Sequence, residues 1–201
     1  DAMEQRYDLV IIGAGPGGYI AAKKAARLGI SVLIVDKNEI GGTCVNRGCI
    51  STKALVHASM LYREMLECEK FGLSAENVKF DLQKIFEYKD HSAAAMRYDL
   101  ETEFKELGIE FVNGEATVML SKRVLVRKKD GTEAIYKGKN ILIATGAKAN
   151  YLEIPGMNLP GVMTSEELLT TNESRFDRML IIGGGVIGLE IATAFNALGT
   201  D

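Results

Sequence analysis

Cysteine, proline and histidine are scarce in this 201-residue chain, which holds three, three and two of them. Three cysteines are too few for the disulfide scaffold of a small secreted protein. A net charge of −3 supplies no basic face for a nucleic acid. No apolar run approaches bilayer length, since the longest, such as 9–14 and 141–144, are strand-sized. The chain does not open on a basic segment followed by an apolar one, so no secretory signal is read and the expected location is cytoplasmic, without a membrane. Asp1-Ala2-Met3 reads as a short addition ahead of a native start at Met3. What remains, 47% hydrophobic and 25% charged, suits a globular protein with a sizeable core, long enough for one domain or one and a half.

The first informative stretch is Tyr7–Ile12, a β-rich run leading into Gly13-Ala14-Gly15-Pro16-Gly17-Gly18. An Ala-rich helix, Tyr19–Leu28, follows, with Gly29 where a helix-terminating glycine belongs. A second strand, Ser31–Val35, ends in Asp36 and Lys37. A G-x-G-x-x-G run is weak alone. Between a strand and a helix, with an acid closing the next strand, it is a dinucleotide fingerprint. Gly13 makes the tight turn, Gly15 lets a pyrophosphate approach and Gly18 lets the helix pack on the strand. The pyrophosphate would rest on the helix N-terminus, and Asp36 would accept hydrogen bonds from ribose hydroxyls.

The second is Gly41-Gly42-Thr43-Cys44-Val45-Asn46-Arg47-Gly48-Cys49-Ile50-Ser51-Thr52-Lys53. Two cysteines share a Gly-rich turn, and a helical pattern, Cys49–Lys70, begins at the second. The run reads as a redox-active disulfide, with a structural staple or a metal site as alternatives. Cys44, Cys49 and Cys68 with two scattered histidines do not show zinc-ligand spacing, so no metal is expected. Cys49, Lys53 and His57 fall on one helical face. His91 lies on a charged helix and reads as solvent-facing.

A long helix is expected over Asp81–Leu107, from apolar residues Leu82, Ile85, Phe86, Ala93, Met96, Leu100, Phe104 and Leu107 at spacings of three and four. Ile109–Val112 reads as a strand. Glu115–Leu120, Arg123–Arg127 and Glu133–Tyr136 read as an antiparallel meander, and Asn140–Ala144 as a separate buried strand ending in Thr145-Gly146. Ile154–Gly161 holds two of the three prolines and reads as a linker, after which Ser165 would cap a short helix. Arg178–Ile182 reads as a strand opening a second fingerprint, Gly183-Gly184-Gly185-Val186-Ile187-Gly188, with a helix from Val186 to Leu198. Two fingerprints imply two dinucleotides. The strand that would select between NAD and NADP should follow Asp201, so the chain is expected to belong to a longer parent.

These residues resemble the pyridine nucleotide–disulfide oxidoreductases. The matching pieces are Gly13–Gly18, Gly41–Lys53, Val112–Ala116, Ala144–Gly146 and Gly183–Glu190, and the cysteine run with its trailing Lys53 is the most specific. Ile50 and Lys53-Ala54-Leu55 lean toward the branch that oxidises dihydrolipoamide. Ser51 departs from a usual proline, Arg47 from an apolar residue and Asp36 from a glutamate; none of these removes a reacting group.

The resemblance implies an α/β fold: an FAD-binding, doubly wound, Rossmann-like domain with a β-meander over 1–150, then a linker and the start of a second Rossmann-like domain for NAD(P) over 151–201. It implies that Gly13, Gly15 and Gly18, with Pro16 and Gly17 in the same loop, hold the FAD pyrophosphate, and that Asp36 with Lys37 holds the adenosine ribose. Gly42, Thr43 and Cys44 would lie beside the flavin, Ala116 against adenine, and Ala144, Thr145 and Gly146 over the FAD. Lys53 would pair with Glu190 near the flavin, while Gly183, Gly185, Val186, Ile187 and Gly188 would take the nicotinamide dinucleotide, NAD or NADP. Cys44 would exchange with a dithiol, Cys49 would pass electrons to the flavin, and NAD⁺ would be reduced. The implied partners are the lipoyl domain of a 2-oxoacid dehydrogenase or glycine-cleavage complex, and a second copy in a homodimeric full-length parent. The family's base is a histidine in a C-terminal dimerisation domain whose motif neither His57 nor His91 matches, so these 201 residues are expected to be inactive alone. A glutathione- or mercuric-reductase-like NADPH enzyme and a flavin-binding module without turnover are the alternatives.

Overall fold

The structure, a computed structural model, describes residues 4–172 and 175–201, so the reading of Asp1-Ala2-Met3 lies outside it. The chain forms two compact units, Asp1–Asn46 with Ala95–Ala149, and Arg47–Ala94 with Asn150–Asp201.

The first unit is built on a six-stranded sheet. Strand β1 (Gln5–Ile12), helix α1 (Pro16–Arg27), β2 (Val32–Asp36), the short α2 (Gly42–Arg47), β3 (Glu110–Asn113), β4 (Glu115–Met119), β5 (Arg123–Arg127) and β6 (Glu133–Ile143) follow in chain order. The strands lie side by side as β3-β2-β1-β6-β5-β4. β3, β2, β1 and β6 are parallel, whereas β5 and β4 return antiparallel. The continuous apolar runs of β1 and β2 go to the centre, where Val10, Ile11, Leu33, Ile34 and Val35 are all fully buried, as parallel strands covered on both faces require. β5 alternates instead: Val124 and Val126 face the core between exposed arginines. α1 starts on Pro16, whose missing N–H costs nothing in the first turn. It finishes with Lys24 and Arg27 against the negative end of its dipole.

Two expected strands prove to be one. β6 pairs with β5 through 133–137 and with β1 on both sides of Lys139, so one strand runs across Lys137-Gly138-Lys139. Lys137-Gly138-Lys139 is polar, so the apolar pattern of the sequence does not carry through it. In the sheet, Gly138 lies where a side chain would meet Val10.

The second unit is helical. It contains α3 (Cys49–Leu66), a 3₁₀ turn (Cys68–Phe71), the first half of α4 (Leu82–Glu106), α5 (Ser165–Thr171) and α6 (Val186–Ala197). Leu55, Ile85, Phe86, Leu169, Ile191, Ala194, Phe195 and Leu198 form its core. Ile154–Gly161 carries turns. The cap of α5 is Thr164 rather than Ser165: Thr164 accepts from the Glu167 N–H, and the Glu167 side chain accepts from the Thr164 N–H. This capping box outranks Ser165 because Glu167 stands three residues after threonine.

Arg178–Ile182 is not a strand. A strand exists only by pairing, and the ladder bonds here are to one residue, from Met179 N to Asp201 O and from Asp201 N to Asp177 O. Leu180 accordingly stands 91% exposed.

Candidate functional site

In the first unit the glycine loop closes the C-terminal end of β1. Gly13 turns with φ 108°, and a Cβ there would lie 2.1 Å from Ala144 O. Gly13 N donates to Val35 O, and Ala144 N donates to Ile12 O, so the loop is pinned to both neighbouring strands. Gly15 is the N-cap of α1 and contributes no side chain to its first-turn amides. A Cβ on Gly42 would come 2.6 Å from Gly15 Cα. Gly13, Gly15, Pro16, Gly17, Gly18, Gly42 and Ala144 thus come together at the mouth of α1. A phosphate bridge fits there: the positive end of α1 opens on it, and Gly15 and Gly42 approach each other too closely for a side chain on Gly42.

Asp36 has a structural duty that the sequence did not reveal. Its Oδ2 accepts from Ala14 N at 2.7 Å and its Oδ1 from Asn38 N at 2.8 Å. The carboxylate therefore braces the glycine loop from below and retains further lone pairs for ribose hydroxyls. Asn113 secures the end of β2 in turn, donating to Asp36 O and Asn38 O, while Gly114 N also donates to Asp36 O. Ala116 is half-buried on β4 opposite Val126. Lys37, Thr43, Thr145 and Gly146 are exposed.

Cys44 is half-buried on α2. Val45 beside it is buried against Gly41. Asn46 Nδ2 donates to Ile40 O and Gly42 O, and Asn46 Oδ1 accepts from Arg97 Nη1. Neither Asn46 nor Arg97 was singled out from sequence. Asn46 sits inside the cysteine run, where an asparagine near a Gly-Gly turn is a usable sign. Arg97, on a charged helix fifty residues away, carries none.

In the second unit α3 begins at Cys49, after Gly48, with no side-chain cap. Cys49 is exposed there. Lys53 and His57, the same face one and two turns on, are exposed as well. Lys53 Nζ lies 3.0 Å from Glu190 Oε1 on α6, so the structure brings these two together across 137 positions of sequence. Arg47, between the cysteines, pairs with Glu166 at 2.6 Å, in the first turn of α5. Cys68 is buried, its Sγ 3.6 Å from Leu73 O. His91 is exposed. No group of three metal-ligating side chains occurs among the described residues.

The second glycine loop repeats the first. Gly183 has φ 115°, and Gly185 caps α6 with φ −80° and ψ −178°, against −75° and −175° at Gly15. A Cβ on Gly188 would lie 2.2 Å from Gly183 O, as one on Gly18 would lie 1.7 Å from Gly13 O. The loops differ in their backing. Ala144 closes on Gly13, whereas a Cβ on Gly183 or Gly185 would meet nothing within 4 Å among the described residues. Val186 and Ile187 are exposed and Gly188 and Glu190 half-buried.

A parallel sheet with a glycine loop at the end of its first strand, an acid at the end of the second, and a copy of the loop on a later helix define a protein of the two-dinucleotide α/β class. The chain belongs to the pyridine nucleotide-disulphide oxidoreductase family, whose profile matches residues 7–201. It is 36% identical over 199 residues to a mitochondrial dihydrolipoyl dehydrogenase of Dictyostelium discoideum, covering 98% of this chain and 41% of that protein. A dihydrolipoyl dehydrogenase of Manduca sexta is 39% identical over 202 residues, covering 96% of this chain and 39% of the other. Among solved structures, the HOCl-induced flavoprotein disulfide reductase RclA of Escherichia coli, as its Cu(II) complex, superposes with a TM-score of 0.81 at 29% identity, over 98% of this chain and 41% of that one. The chain spans about two fifths of the length of these relatives. FAD and NAD(P) are the cofactors of the family, in keeping with the expectation drawn from the two fingerprints.

Proposed function

We propose that this chain carries the flavin and disulfide machinery of a dihydrolipoamide dehydrogenase. Residues 1–150 form its FAD-binding domain, and 151–201 are a linker and the opening of its NAD(P)-binding domain. The Lys53–Glu190 pair at 3.0 Å, one helical turn after Cys49 at the start of α3, supports this reading most directly. The names of the relatives at 36% and 39% identity favour dihydrolipoamide as the dithiol.

In this reading Cys44 and Cys49 begin as a disulfide. A thiolate of dihydrolipoamide attacks Cys44 Sγ, the bond between the two cysteines breaks, and Cys49 leaves as thiolate. The second lipoyl thiol loses its proton and attacks the lipoyl sulfur held on Cys44, which closes the lipoyl ring and releases Cys44. Two electrons now reside on the cysteine pair. FAD, when bound, supplies the two-electron carrier between that pair and NAD⁺. Gly13, Gly15 and Gly18 would hold its pyrophosphate, Asp36 its ribose, and Gly42, Thr43 and Cys44 would lie beside its flavin. Lys53, oriented by Glu190, places a positive charge one helical turn after Cys49. The second loop, Gly183 to Gly188, would take the nicotinamide dinucleotide. The lipoyl domain of a 2-oxoacid dehydrogenase or glycine-cleavage complex is the proposed partner, the full-length protein a homodimer, and its location the cytoplasm. Without a histidine base the 201 residues alone would not turn over.

The test is spectroscopic. The purified chain is loaded with FAD, freed of excess by gel filtration, and treated with dihydrolipoamide. Retained flavin absorbance and a new long-wavelength band that Cys49→Ser removes are the expected results. Retained flavin with no response to the dithiol sinks the redox reading. A second reading, a disulfide reductase using NADPH, draws on the likeness to RclA. Reduction of the pair by NADPH but not by dihydrolipoamide in the full-length protein would favour it.

A further inference from the structure

Helix α2, which carries Cys44, has only six residues and begins Gly-Thr-Cys. No helix of that length and composition is stable by itself. Val45 anchors one side of it in the core. The other anchor is polar. Asn46 Nδ2 donates to Gly42 O at 2.9 Å, four residues back, and to Ile40 O at 3.0 Å, before the helix starts. One amide thus ties the end of the turn to its beginning, with Cys44 midway. The other end of that amide is also engaged, because Asn46 Oδ1 accepts from Arg97 Nη1 at 2.6 Å. A charged donor at that distance makes a strong, directional bond, and it fixes which way the amide faces, so that Nδ2 stays aimed at the two carbonyls.

We propose that Asn46 and Arg97 are positioning residues for Cys44: Arg97 orients the Asn46 amide, and the amide holds the turn that presents the thiol. The proposal rests on the redox reading of the cysteine pair. Its physical content is an effective concentration. On the redox reading, a turn held in one conformation lowers the entropy lost when Cys44 enters the disulfide, and so favours it. A loosened turn spreads the thiol over many positions and favours the dithiol.

The experiment equilibrates the full chain with a glutathione redox buffer. Two protein thiols are oxidised to one disulfide, while one glutathione disulfide is reduced to two glutathiones. Acid quenching and peptide mapping then count the Cys44–Cys49 linkage. Asn46→Ala and Arg97→Ala should each shift the equilibrium about tenfold toward the dithiol, on the scale of one lost charge-assisted bond, which is about 30 mV. They should also speed alkylation of Cys44 by about the same factor. Arg97→Lys, which keeps a cationic donor, should recover most of both effects. Buried Cys68 reports on folding. A variant in which it too becomes reactive has unfolded, and Arg97→Gln is then measured in its place. Alanine variants within twofold of wild type in both readouts overturn the proposal. A wild-type chain that forms no Cys44–Cys49 linkage removes the redox reading instead. The Cys44 alkylation rates then decide the positioning role alone, with a tenfold rise supporting it and no change overturning it.

Discussion

Gly13 has a left-handed φ and a carbonyl oxygen 2.1 Å from where its Cβ would stand, whereas Gly183 has a similar φ and, among the described residues, nothing within 4 Å of that place. The two loops look alike in sequence and should respond differently to the same change. Gly13→Ala combines backbone strain with a clash against a pinned strand, so it should cost more than about 2 kcal/mol in urea unfolding and abolish FAD retention on gel filtration. Gly183→Ala meets strain alone and should cost about 1–2 kcal/mol. Lys53 and Glu190 make the opposite case. Their side chains are 66% and 31% exposed, so Lys53→Met should change unfolding free energy by less than about 1 kcal/mol. A large loss of dithiol response in that variant, with the melting temperature unchanged, would mark Lys53 as working on chemistry rather than stability. At this scale the glycines, cysteines and Asp36 were legible because each is required locally by a turn, a helix start or a strand end. Asp36's hold on Ala14 was not, since nothing in a sequence says that a side chain will reach back 22 positions to a loop amide.

Among the elements, the long apolar stripe of α4 was visible, and Ile85, Phe86, Ala93, Leu100 and Phe104 are buried as its spacing requires. The same stripe contains Lys89, three to four positions from its apolar neighbours and only 2% exposed. It donates to Leu169 O at 2.7 Å, one of the orphan carbonyls ending α5, and pairs with Asp90 at 2.5 Å. Lys89→Ala should destabilise the protein by about 3 kcal/mol in chemical denaturation, because it strips a carbonyl and a carboxylate of a buried partner. At the other end of α5, Thr164→Ala should cost about 1 kcal/mol by the same measurement. Strands were harder to read than helices. A helix closes its hydrogen bonds within itself, so α1, α3 and α6 could be placed from local pattern. A strand depends on a neighbour that may lie anywhere in the chain, which is why Arg178–Ile182 was overread and β6 was cut in two.

For the molecule as a whole, acid should be the more revealing stress. Lys139, with the hydroxyl and backbone N–H of Ser31, holds the Asp8 carboxyl well below the ordinary carboxylate range. Lys70 and Arg63 lower Glu67, Thr132 lowers Asp130, and Thr164 lowers Glu167. A depressed native pKa adds stability that is fully present above the unfolded value, near pH 4, and disappears as pH falls through the native one. Urea midpoints measured from pH 7 to pH 2 should therefore drop below about pH 4–5, and Asp8→Asn should flatten that fall. On the alkaline side, burial and the hydrogen bond to Glu110 push the Tyr7 phenol above its usual range. Its contribution is present below pH 10 and is lost as pH rises through the higher native value.

The continuity of β6 makes it a ruler between the β5–β6 hairpin and the first glycine loop. Five residues of one end register against β5, and the other end delivers Ala144 to Gly13. One residue inserted between Tyr136 and Ile143 would advance the strand by about 3.3 Å and turn every following side chain to the opposite face. The hairpin tip is free of that constraint. Gly131 has open space around it, and the turn closes on itself through Lys128 and Thr132. An affinity label or a fluorescent reporter spliced at Lys129–Gly131 therefore sits outside the measured length. It gives the protein engineer a handle that leaves the distance from hairpin to glycine loop unchanged.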